Sequence, residues 1–154
     1  MLANVLLDEN KINYNYLKTI AAPLKEIKDK QEFFASFAFK NGKTAGNVKT
    51  PIKDVEIDLE KAWEHLFENS KQENRQKLAG GILPTLQTPN VISRNANGAY
   101  FFYKAFTDEK GVLNLVSIEL PKSNRLEYHT SYIGSKQRLM KILTEYEVIY
   151  QNFE

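Results

Sequence analysis

Three turn signals in the second half of the chain constrain the fold more than any other feature. They are Asn97-Gly98, Asp108-Glu109-Lys110-Gly111, and the stretch 121–124 that opens on Pro121. Asn-Gly suits the left-handed backbone of a tight hairpin. An Asp followed by Gly three residues later is a common turn pair. The segments between them, 100–106, 112–120 and 126–133, are of strand length, rich in aromatic and branched residues, and free of proline. Together with Val91 and Ile92 ahead of the first turn, they predict four consecutive strands, an antiparallel meander.

The first half reads as helical. Ile12, Tyr16, Leu17 and Ile20 have helical spacing within 9–20, and Pro23 suits the first turn of a second helix with Leu24 and Ile27 inward. Phe33, Phe34, Phe37 and Phe39 continue that helix or open a strand, and Asn41, Gly42, Lys43 and Gly46 mark a loop. Val55 and Ile57 alternate with charged residues as in a short strand. Asp58 then caps a helix with the stripe Leu59, Ala62, Trp63, Leu66 and Phe67. Ser70 caps another, which Gly80 and Gly81 weaken and Pro84 ends. A last short helix carries Leu139, Ile142 and Leu143, and 148–150 closes as a strand. The expected class is α+β: N-terminal helices, a four-stranded antiparallel meander, then a short C-terminal helix. The polar loop sets an expected boundary, with a helical extension over 1–46 and the main unit over 47–154.

Composition narrows the chemistry. The 154 residues include no cysteine, which excludes disulfides, thiolate catalysis and zinc–thiolate sites. No stretch approaches the roughly 18 apolar residues that span a bilayer. The first ten residues lack the basic flank and long apolar centre of a signal peptide. Phosphate-binding glycine loops and H-E-x-x-H are missing, and His65 and His129 are far apart with no carboxylate motif, so no metal site is expected. Net charge is only +2, but between positions 122 and 141 stand Lys122, Arg125, Lys136, Arg138 and Lys141, with Glu127 the one acid. Such a run is either a solvated face or a phosphate contact.

Simple turns would set Lys104 opposite Leu115, and Leu115 opposite Thr130. One sheet face would then carry Tyr100, Phe102, Lys104, Ser117, Glu119, Tyr128, Thr130 and Tyr132. Lys104 either snorkels at the rim of an aromatic face or holds a phosphate beside rings that stack bases. Arg75 and Lys77 lie on the helix that must pack near this sheet; each is either a solvated base or shares a cleft with Lys104 and Thr130 or Ser131, where two converging cations would imply an anionic ligand. His129 can exchange protons near neutral pH or be an exposed strand residue. Thr130 and Ser131 can hydrogen-bond a phosphate or fill a strand.

The block from 50 to 150 resembles a family. The residues carrying the match are Asn74-Arg75-Gln76-Lys77, the run 83–92 (LPTLQTPNVI), Tyr103-Lys104-Ala105-Phe106, Val116-Ser117-Ile118 and Thr130-Ser131-Tyr132. It is similar to the phage-encoded nuclease-like domains related to barnase, EndoU, colicin-type RNases and RelE (the PBECR group), found in Mu-type head morphogenesis and polyvalent proteins. The resemblance covers about two thirds of the chain. It implies a toxin- or effector-like endoribonuclease needing no metal or cofactor. Such an enzyme acts in the cytoplasm or is delivered into a bacterial cytoplasm, with RNA as substrate and an immunity or antitoxin protein as partner. It also implies roles: Arg75 or Lys77 and Lys104 as cations, His129 as the imidazole, and Ser117, Thr130, Ser131 and Tyr132 around the phosphate. The chain departs from the family in one place. Asn74, Arg75 and Lys77 stand where members often carry a histidine. A catalytically inactive module binding RNA or protein on the same scaffold is the alternative.

Overall fold

The computed structural model describes residues 6–7, 11–69, 72–122, 130–133 and 136–154. The elements run β1 (Leu6–Leu7), β2 (Lys11–Ile12), α1 (Tyr14–Ile20), β3 (Ala22–Pro23), α2 (Lys30–Phe37), β4 (Ala45–Val48), β5 (Val55–Asp58), α3 (Leu59–Asn69) and α4 (Gln72–Gln87). There follow β6 (Val91–Arg94), β7 (Tyr100–Thr107), β8 (Leu113–Leu120), β9 (Thr130–Ile133), α5 (Lys136–Thr144) and β10 (Glu147–Gln151). The class is α+β, as expected.

The main sheet is larger than the expected four-stranded meander, and it is mixed. Its order is β10-β6-β7-β8-β9, antiparallel throughout, and β3 adds a parallel pairing to the end of β7. Pro23 therefore stands in a strand rather than opening a helix. Leu24 and Ile27 are buried all the same, because Leu24 N–H donates to the Thr107 carbonyl and ties the segment to the sheet edge.

The hairpins explain the strand register. Asp108 N–H donates to the Val112 carbonyl at 3.0 Å, leaving a three-residue loop that ends on Gly111 at φ 76°. Asn95 N–H donates to the Ala99 carbonyl at 3.0 Å, and Gly98 has φ 86°. Both are three-residue loops with a left-handed final glycine. That is one residue more than a two-residue turn, which is why the predicted pairing slips by one. Lys104 stands opposite Val116, not Leu115. In the next pair the shift is larger: Thr130 stands opposite Glu119, four residues from the expected Leu115.

Both faces of the sheet are covered. On one, Phe102, Phe106, Val116 and Ile118 pack with α2, α3, α4 and the β4–β5 hairpin, through Phe33, Phe37, Val55, Leu66, Ile82 and their neighbours. On the other, Phe101, Tyr103 and Leu115 pack with α1 and α5 through Leu17, Leu139 and Ile142. Strand alternation sends successive β7 residues to the two cores. The expected boundary at residue 46 falls inside β4, and Phe33 and Phe37 belong to the same core as the sheet.

Glycine allows α4 to enter this core. A Cβ on Gly80 would lie 1.6 Å from the Lys25 carbonyl oxygen, and one on Gly81 would lie 2.8 Å from a Val116 methyl. The two glycines are points of close approach, and the helix continues through Pro84 instead of ending there.

Candidate functional site

Lys104 lies midway along β7, at the gap between the β6 pairing, which ends at Tyr103, and the β3 pairing, which begins at Phe106. Its ammonium donates to the Thr88 carbonyl and, at 3.1 Å, to Thr88 Oγ1. It also stands 6.0 Å from the centre of the Phe106 ring. Thr88 directly follows α4, so Lys104 caps the negative end of that helix. Burial lowers its pKa below the ordinary lysine value.

Lys77 is held elsewhere. Its Nζ lies 3.3 Å from Asp108 Oδ2, with the two side chains 15% and 7% exposed. Asp108 Oδ1 accepts from the Lys110 and Val112 amides at 3.0 and 2.9 Å, and Oδ2 also accepts from Asn114 Nδ2 at 3.2 Å. These bonds, the Val112 amide foremost, hold the Asp108 carboxyl down to about 2. Lys77 and Thr88 are separated by about 16 Å of helix at 1.5 Å per residue. Lys77 and Lys104 thus hold two separate points of α4 and do not converge, so the expected cleft does not form through Lys77.

Ser117 is likewise displaced from the predicted site. It pairs with Tyr103, lies on the sheet face opposite Lys104, and is 0% exposed with no hydrogen-bond partner for its hydroxyl. A buried, unbonded hydroxyl in an apolar layer has no path to a substrate.

The remaining candidates gather around β9. Arg75 is in the first turns of α4, two residues before Lys77, and α4 packs across β7, β8 and β9. On β9, Thr130, Ser131 and Tyr132 stand opposite Glu119, Ile118 and Ser117, so Ser131 is in register with the face that α4 covers, while Thr130 and Tyr132 are in register with the face of Ser117 and not, as expected, with Lys104. His129 lies outside the described residues and directly precedes Thr130 in the chain. Among the described residues no group of three or more His, Asp or Glu is placed to hold a metal ion.

Two residues that organise this region escaped the sequence reading. Asp108 was legible as a turn residue, but nothing local showed that its second oxygen would receive Lys77. Asn90 fills the gap in the strand pairing. Its Oδ1 accepts the Ala105 amide at 2.7 Å, its Nδ2 donates to the Asn152 carbonyl at 3.0 Å, and its carbonyl accepts from Asn152 N–H at 2.7 Å.

No helix among the described residues is long and apolar enough to cross a membrane. No family model, curated protein or solved structure matches the chain.

Proposed function

We propose that this chain is a metal-independent endoribonuclease acting at β9 and the N-terminal turns of α4. In this reading His129 moves the proton as the ribose 2′-hydroxyl attacks the adjacent phosphate, and Arg75 stabilises the charge that develops on the phosphate oxygens. Ser131, in register with Ile118 on the face that α4 covers, holds the substrate. The observation that carries the reading is the packing of α4 onto β9, which sets the helix bearing Arg75 beside the strand that follows His129. Lys77 and Lys104 act as positioning residues, Lys77 tying the helix to Asp108 and Lys104 capping its C-terminal end. Incubating the protein with total RNA in EDTA, then mapping the ends, tests it. The expected products carry 2′,3′-cyclic phosphates and 5′-hydroxyls. RNA left intact would overturn it.

The internal engagement of Lys77 and Lys104 favours a second reading, a catalytically inactive module that binds RNA or a protein partner such as an antitoxin. Binding without any cleavage in the same assay would select it.

A further inference from the structure

The candidate site occupies one end of the main sheet, and a second cationic surface lies in the first half of the chain. Between positions 40 and 53 there are four lysines, Lys40, Lys43, Lys49 and Lys53, and no acid. All four are exposed. Four described cations pair with carboxylates: Lys25 with Glu32, Lys30 with Glu60, Lys77 with Asp108 and Arg94 with Glu147. None of the four lysines between 40 and 53 forms an ion pair, although β4 is paired directly with β5, which carries Glu56 and Asp58. Asp58 instead accepts the amides of Glu60 and Lys61 at the start of α3.

The lysines flank a rigid support. Lys40 and Lys43 precede β4, and Lys49 and Lys53 lie in the loop that follows it. Lys43 and Lys49 are thus separated by about 20 Å of extended chain. Val48, Val55 and Ile57 anchor the hairpin in the core. The half-buried Phe39 ring, next to Lys40, packs against Gly46, where a Cβ would come within 3.0 Å of it. Phe34, also half-buried, has the Lys30 ammonium 5.4 Å from its ring centre. Unpaired cations at both ends of a strand, with the Phe39 ring beside it, are what a single-stranded nucleic acid engages: phosphates meet the ammonium groups and a base stacks on the ring.

The geometry points to the β4–β5 hairpin as a second contact for single-stranded RNA, one that grips the backbone away from the cleavage site. This rests on the ribonuclease reading for its choice of RNA, and the two are separable by experiment. The probe is a fluorescein-labelled 12-nucleotide 2′-O-methyl oligouridine, which cannot supply the attacking hydroxyl, so binding is read without cleavage. The variant carries Lys40→Gln, Lys43→Gln, Lys49→Gln and Lys53→Gln, with circular dichroism melting to verify the fold. Its affinity should fall at least tenfold. The slope of log K against log salt should shrink by roughly 3, at about 0.7 per lost contact on a single strand. A duplex of the same length should bind more weakly than the single strand to the wild-type protein. Unchanged affinity and slope in the folded variant would overturn the surface, as would a wild-type protein that does not bind the probe or that prefers the duplex. Loss of binding in the variant, with no cleavage of ordinary RNA by either protein, would keep the surface and remove the nuclease.

Discussion

Lys104 shows how one side chain changes meaning between sequence and structure. A lysine between Phe102 and Phe106 invites a ligand, because a charge on an aromatic strand needs a partner. The partner here is the end of α4. Replacing Lys104 by Met keeps the stem and removes a charged hydrogen bond to the helix terminus. It should cost about 1–2 kcal/mol, read by urea denaturation. No loss of stability would mean that the ammonium does not cap the helix. Asp108 makes a prediction in pH. Its carboxyl falls from the ordinary 3.8 to about 2 in the fold, so the ionised form is favoured by folding. The contribution is complete above about pH 4 and is lost as the pH falls towards 2. The melting temperature of wild type should therefore exceed that of Asp108→Asn at pH 6, with the gap closing between pH 4 and 2. A gap independent of pH would contradict the assignment.

At the scale of elements, the strands were legible because their signals are local. Asn97-Gly98 and Asp108 to Gly111 are turns, and the segments they bound are β6, β7 and β8. The register was not legible, since it depends on whether a loop closes over two residues or three. That one residue decides whether Ser117 shares a face with Lys104. The parallel strand β3 was missed for a similar reason. Pro23 fits a helix start and an edge strand equally well, and only the distant end of β7 selects between them. Gly80 and Gly81 look like helix breakers in a sequence, yet they mark where backbone and side chain press on α4. Gly80→Ala would drive a methyl into the Lys25 carbonyl and should destabilise by at least about 2 kcal/mol despite alanine's better helix propensity. A stabilised Gly80→Ala protein would show that this contact is not as close as described.

Among the described residues the main sheet carries helices on both faces, and the segment 152–154 is tied back onto it. Phe153 is 1% exposed, and Asn152 and the Ala105 amide meet at Asn90. Asn90→Ala would leave the buried Ala105 amide unpaired and release the terminal segment. A loss of about 2–4 kcal/mol is expected from the bonds removed, with faster amide exchange at Ala105 and Asn152. Unaltered exchange at both amides would rule out this closure. The candidate site was legible at this scale only in part. The sequence brought α4 and the last strands together, and the packing of α4 on β9 agrees. It did not show that Lys77 and Lys104 fasten the helix, because that depends on partners such as Asp108 and Thr88, remote in sequence from them. The most direct measurement is single-turnover cleavage of a 5′-labelled RNA in EDTA by wild type, Arg75→Ala, His129→Ala and Lys104→Met, each held well below its melting temperature. Wild type should give cyclic-phosphate products, and cleavage should fall at least roughly 100-fold for Arg75→Ala and His129→Ala, equivalent to about 2.7 kcal/mol in the barrier. The folded Lys104→Met protein should lose less than about tenfold. No cleavage by wild type would refute the ribonuclease reading, as would an Arg75→Ala enzyme as fast as wild type.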